Sequence, residues 1–181
     1  MHDTTIQPYI GLKLALEALS REAAEDNALS TRIQELIEMA EMTVLDLRDY
    51  AATIKGKVAI PGEAMIAAAK TQAERLKRFY GINVTIDSDI SKRLKGRLAA
   101  EVFQLISEGL SNVLRHTKAK NAFVSVVCKE SELLLKIGND EDDQKEFMPR
   151  SICERVNALN GGTYVEHRLD QYAVVVIMIP I

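Results

Sequence analysis

A helical hydrophobic period runs through the first third of this chain and then breaks, and that break divides it. Tyr9, Leu12, Leu16, Leu19 and Ala23 step by three and four. After the short polar run Glu25-Asp26-Asn27-Ala28, Leu29, Ile33, Leu36, Ala40, Thr43, Leu47, Ala51 and Ile54 repeat the step. Such spacing predicts two amphipathic helices with heptad-like seams. A connection this brief predicts that they run antiparallel. Two helices alone bury little, so the hairpin is expected to pair with a second copy in a four-helix bundle. The other way to cover its stripe is to pack on the chain's own C-terminal half. Periodicity stops at Lys55-Gly56-Lys57-Val58-Ala59-Ile60-Pro61-Gly62, which holds two Gly and one Pro. This break predicts a boundary between a domain over 1–58 and another over 59–181.

Beyond the break a lead-in helix is predicted over about 63–80, with Met65, Ala69, Gln72, Leu76 and Phe79 roughly in phase and Gly81 as its C-cap. Strict alternation over Ile82-Asn83-Val84-Thr85-Ile86 predicts a half-buried strand. Asp87, Ser88 and Asp89 carry turn and N-cap chemistry, so a long helix is expected over about 90–117. Strands follow at about 122–128 and 133–137, then an acidic loop over 138–150 and a short helix over 151–159 closed by Asn160-Gly161-Gly162. The last strands, 163–169 and 172–179, read as a hairpin. The fold class predicted is α+β: an N-terminal antiparallel helical hairpin, then an α/β sandwich whose mixed sheet carries helices on one face.

Composition narrows the function. A net charge of −3 argues against a broad basic surface for direct nucleic-acid contact. No uncharged apolar run is long enough for a membrane span. Two cysteines, Cys128 and Cys153, are expected as small buried residues in a reducing compartment. His2, His116 and His167 lack the close spacing of a zinc site, and His167 reads as an exposed strand residue. Neither GxxxxGK[ST] nor GxGxxG occurs, so a nucleotide must be held without a glycine-rich phosphate loop of those kinds.

Two clusters carry chemistry. On the long helix Glu108, Asn112 and Arg115 stand at i, i+4 and i+7, with His116 adjacent. A carboxylate and an amide oxygen suit Mg²⁺, and a guanidinium suits phosphate. The same spacing also describes a solvated charged face, with Ile106, Leu110, Val113 and Leu114 toward the core. At the N-terminus His2-Asp3 is followed by Gln7 and Pro8. A neutral imidazole is a nucleophile toward phosphorus, and a neighbouring carboxylate can orient it and take its proton. Gln7 lies one turn further on, where it can orient a water. A terminal His-Asp can equally be frayed and inert.

These pieces together resemble a family. His2-Asp3-Thr4-Thr5-Ile6-Gln7-Pro8-Tyr9-Ile10-Gly11-Leu12 resembles the phosphoacceptor box of bacterial sensor histidine kinases, in the nitrate-sensor and lipid-fluidity-sensor branch. Glu108-Gly109-Leu110-Ser111-Asn112-Val113-Leu114-Arg115-His116-Thr117 resembles the Mg-ATP box of that family's ATP-binding domain, of the gyrase, Hsp90 and kinase class. Residues 151–162 resemble the segment after the ATP lid. The resemblance implies that His2 accepts the γ-phosphoryl group of ATP, that Asp3 orients and deprotonates it, and that Gln7 places a water for dephosphorylating the partner. It implies that Asn112 holds Mg²⁺ with Glu108 assisting, that Arg115 and His116 face the phosphates, and that Asn139 or Asp140, depending on register, contacts adenine. The implied partners are a second copy of the chain and the receiver domain of a response regulator. The implied setting is cytoplasmic, as the truncated core of a longer protein whose sensor region lies upstream.

One stretch departs from the family pattern. The family's adenine loop reads Asp-x-Gly-x-Gly, and here Gly138-Asn139-Asp140-Glu141-Asp142-Asp143 stands in its place, with no glycine in the lid through Phe147-Met148-Pro149-Arg150. From Asp140 to Arg150 five acids face two bases, a formal charge of −3. An intact kinase and a degenerate form acting as phosphatase or dimeric scaffold are therefore both implied. A serine-directed kinase of the same sandwich class would not need the His-Asp hairpin.

Overall fold

The computed structural model describes residues 12–17, 19, 29–34, 36–38, 40, 61–90, 94–141, 149–167 and 173–181. The chain divides into two compact units, Met1–Val58 and Ala59–Ile181. In the first, the described residues are helical. Ile33, Ile37 and Ala40, at i, i+4 and i+7, are buried, whereas Leu12 and Leu19 are each 50% exposed and Leu29 and Leu36 are 48% and 43% exposed. The expected stripe is thus split: Ile33 and Ala40 are covered, and Leu29 and Leu36 are not. The connection at 25–28 and the break at 55–60 lie outside the described residues, as do His2, Asp3, Gln7 and the segment 142–148.

The second unit runs α1 (Gly62–Tyr80), β1 (Asn83–Asp89), α2 (Gly96–His116), β2 (Asn121–Cys128), β3 (Glu132–Asn139), α3 (Arg150–Ala158), β4 (Gly162–His167) and β5 (Ala173–Pro180). The five strands form one sheet in the order β1-β2-β3-β5-β4. β1 and β2 are parallel, joined by the crossover through α2, and every other pair is antiparallel. The sheet is mixed, as the hairpin-rich pattern predicts.

Register explains which face is core. Val124, Ile137 and Val175 stand in one cross-strand row, and Val126, Leu135 and Ile177 in the next. With period two these rows share a face, and they pack with Met65 of α1 and Leu105, Ile106 and Leu110 of α2 in one cluster. Each such side chain, fully buried, stabilises the fold by about 1.5–3 kcal/mol. The opposite face carries polar groups, including a Lys136–Glu166 pair at 3.5 Å, and the exposed Tyr164. α1 ends where its glycine requires: Gly81 is left-handed at φ 68°, and its N–H bonds the carbonyls of the last turn.

Three boundaries differ from the expectation. Asp87, Ser88 and Asp89 do not start a helix. They extend β1, paired with Ser125, Val126 and Val127, and α2 begins only at Gly96. Pairing along a neighbour overrides the turn preference of short polar residues. β3 runs on through Gly138 and Asn139, which the acidic composition predicted as loop. α3 begins at Arg150 behind Pro149, whose missing N–H and fixed φ suit a helix start. Cys128 and Cys153 form no disulfide and are half-buried rather than buried. Of His167 only the backbone, in β4, is described.

Candidate functional site

A cavity of about 290 Å³ opens within the second unit, between the last turns of α2, the end of β3, the paired β4 and β5, and the start of α3. From α2 it takes Gly109, Asn112, Val113 and His116, the i, i+3, i+4 and i+7 positions of one stripe. Its floor holds Asn139, and its apolar walls include Ile137, Ile152, Val165 and Val175.

Helical geometry sorts the four residues predicted to share a face. Asn112 and His116 line the cavity, and Glu108 and Arg115 do not. Glu108 turns instead toward α3, where the Arg155 Nε lies 3.8 Å from its Oε2. Glu101, two turns earlier on the same stripe, accepts a hydrogen bond from Arg155 Nη1 at 2.8 Å. One guanidinium therefore fastens α3 to two carboxylates of α2. Arg115 is exposed. Asn112 carries an orphaned donor: its Nδ2 is buried and has no hydrogen-bond partner among the described residues. A buried donor without an acceptor costs about 1–3 kcal/mol, so an acceptor brought by a ligand relieves it.

Gly109 explains why α2 comes so close. A Cβ built there would stand 2.4 Å from Ile137 Cδ1. Glycine inside a helix costs roughly 0.5–1 kcal/mol relative to alanine, and here the missing side chain admits β3. Sequence reading passed over Gly109, although a glycine in mid-helix is itself a sign of close approach. It also passed over Arg155, whose signal was the pair of glutamates seven apart on α2.

The structure separates Asn139 from Asp140. Leu133, Leu135, Ile137 and Asn139 alternate on the helix-facing side of β3, so Asn139 closes the core row and faces the cavity. Its Oδ1 accepts the Glu141 N–H at 3.1 Å. Asp140 lies outside the cavity. Its Oδ1 accepts the N–H groups of Lys120 and Asn121 at 2.9 and 3.0 Å, and its Oδ2 accepts Asn121 Nδ2 at 2.7 Å. Burial raises its pKa, but these donors outweigh burial and hold the carboxyl below its ordinary value. Asp140 thus ties the end of β3 to the start of β2. Glu141 lines the cavity and its carboxylate accepts the Lys118 N–H.

The lining fits a flat apolar ring and a group rich in acceptor oxygens. Among the described residues no three His, Cys, Asp or Glu side chains gather to hold a metal alone. A Mg²⁺ ion shared with phosphates needs few protein ligands, and the Asn112 amide supplies one oxygen of the hard kind. None of the described helices is long and apolar enough to cross a membrane.

No protein-family profile matches the chain. Over its full length it is 24% identical to DegS of Brevibacillus brevis, a signal transduction histidine-protein kinase/phosphatase, of which it covers 49%. Over 93% of its length it is 24% identical to the nitrate/nitrite sensor protein NarX of Escherichia coli strain K12, of which it covers 29%. The chain therefore spans half or less of these curated relatives. In fold it resembles the ATP-binding domain of PrrB from Mycobacterium tuberculosis, with a TM-score of 0.52 and 14% identity over 68% of this chain and 96% of that one. It also resembles the histidine kinase ThkA, solved in complex with the response regulator TrrA, with a TM-score of 0.53 and 11% identity over 98% of this chain and 59% of that one. The relatives of this chain are sensor histidine kinases, and its α+β fold with a mixed five-stranded sheet is like that of histidine kinase ATP-binding domains.

Proposed function

We propose that the chain is the core of a sensor histidine kinase that phosphorylates its own His2 from Mg-ATP and passes the phosphoryl group to a response-regulator aspartate. The observation that carries this reading is the cavity beside α2. Asn112, whose Nδ2 is buried without a partner among the described residues, and a second amide at Asn139 line one largely apolar cavity of about 290 Å³. Its relatives' family and its fold support the same reading.

In this scheme Asn112 and His116 stand at the phosphate end and Asn139 at the base end. Asn112 would hold Mg²⁺, which supplies neutralisation of the phosphate charge. Glu108, paired with Arg155, acts as an anchor for α3 and assists the metal only from outside the cavity. Arg115, exposed at the last turn of α2, is free of the wall and suits the outer phosphate oxygens. His2 is the nucleophile: an N–P bond forms as the bond from γ-phosphorus to its bridging oxygen breaks, and ADP leaves. Asp3 takes the imidazole proton. Gln7 positions water for the reverse task, hydrolysis of the regulator's acyl phosphate. Exposed Leu12, Leu19, Leu29 and Leu36 suit a homodimer through the first unit.

The test is labelling with γ-phosphate-labelled ATP and Mg²⁺. An acid-labile, base-stable label is expected, lost in His2→Gln and in Asn112→Ala. A second reading is favoured by the glycine-free acidic stretch from Asp140 to Arg150, which repels triphosphate. In it the chain binds its regulator and removes its phosphate without autophosphorylation. No label, together with regulator dephosphorylation that is lost in Gln7→Ala, would establish that reading instead.

A further inference from the structure

The floor of the cavity carries a choice of base that the nucleotide reading leaves open. In register, Asn139 stands between Ala122 on β2 and Ala173 on β5. Two methyl side chains flank the amide, so the space over it is open to a flat ring edge. Among the described lining residues the one carboxylate is Glu141, whose Oε2 accepts the Lys118 N–H just past the end of α2. The group that closes the core row of β3 at this floor is the Asn139 amide. Its Oδ1 already accepts the Glu141 N–H. That bond fixes which end of the amide is oxygen, since a backbone N–H can only donate. One lone pair of Oδ1 and the two hydrogens of Nδ2 remain.

We propose that Asn139 reads the edge of a purine and accepts 6-oxopurine nucleotides as well as 6-aminopurine ones. This rests on the cavity being a nucleotide site. An amide presents a donor beside an acceptor. Adenine meets it with N7 on Nδ2 and its amino group on Oδ1. Hypoxanthine meets it with O6 on Nδ2 and N1–H on Oδ1. The two poses differ by turning the base one position around its rim, from the N7 side that adenine presents to the N1 side that hypoxanthine presents, and the residues paired beside Asn139 are the small Ala122 and Ala173. A carboxylate in this place would offer two acceptors and repel O6. A pyrimidine has one ring fewer, so with its phosphates at the α2 end its pairing edge stops short of where a purine's would lie.

The experiment is calorimetric titration of the full chain with the magnesium forms of ADP, IDP and CDP. Diphosphates avoid turnover. The expected result is that IDP binds within about tenfold of ADP and that CDP binds more than about tenfold more weakly than either. In Asn139→Asp the ratio of IDP to ADP affinity is expected to fall by about tenfold or more, a change that a merely structural role would not produce. The proposal is overturned if IDP binds more than about tenfold more weakly than ADP to the native chain, or if CDP binds as tightly as the purines. It is also overturned if the ratio is unchanged in a folded Asn139→Asp protein. The native-chain comparison decides the matter even if that variant does not fold. Binding of none of the three would overturn the nucleotide reading itself.

Discussion

Asn112 and Asp140 are both hydrogen-bonding side chains beside the cavity, and they have opposite tasks. The buried Nδ2 of Asn112 has no partner among the described residues. Removing it takes away an uncompensated cost, so Asn112→Ala is expected to leave the thermal midpoint unchanged or slightly raised. The same change is expected to weaken Mg-nucleotide binding by roughly 10–100-fold, as loss of a metal or phosphate contact does. Thermal melts and calorimetry on one preparation check both halves. Asp140 is fully engaged by Lys120 and Asn121. Asp140→Asn is expected to cost about 0.5–1 kcal/mol at neutral pH, the modest figure suited to hydrogen bonds open to solvent. Because its folded pKa is depressed, its contribution is present above the unfolded carboxylate value and is lost as pH falls through the folded value. Urea unfolding of both proteins should therefore differ near neutrality and converge in acid.

Between elements, two devices hold α2 in place. At one, Gly109 admits Ile137. Gly109→Ala is expected to destabilise by about 1–3 kcal/mol through overpacking, reduced by up to about 1 kcal/mol of helix propensity. Ile137→Val removes the Cδ1 that the new methyl would strike. The double variant should recover part of the loss, and a double-mutant cycle in urea measures that coupling. At the other, Arg155 joins α3 to Glu101 at 2.8 Å and Glu108 at 3.8 Å. All three side chains are partly exposed, so Arg155→Met is expected to cost only about 1 kcal/mol. Glu101→Gln should cost more than Glu108→Gln, following the distances. Urea midpoints rank them.

For the molecule as a whole, the first unit leaves apolar side chains uncovered at heptad spacing. Leu12 and Leu19 are seven apart, as are Leu29 and Leu36, and all four are exposed within the chain. Such pairs repeat on one face of a helix and suit a seam with another copy. Leu12→Glu with Leu19→Glu is expected to convert a dimer to a monomer in sedimentation velocity. Little loss of Mg-nucleotide affinity should accompany it, because the described lining residues of the cavity all belong to the second unit.

Local pattern determined much of this protein. The alternation of β2 and β3, the Gly81 cap and the long α2 were legible because period and cap chemistry act over a few residues. So was the presence of Asn112 and His116 on one stripe. Tertiary structure decided the rest. Residues 87–89 became strand through pairing with a partner some forty positions away. Glu108 does not line the cavity, and Arg155, remote in sequence, lies 3.8 Å from its carboxylate. Asn139 and Asp140 are adjacent and chemically alike, and composition cannot choose between them. The extent of β3 does: two more residues of strand put Asn139 in the cavity wall and leave Asp140 to bind the start of β2. Period is written locally, whereas the length of a strand is set by how far its neighbours pair with it.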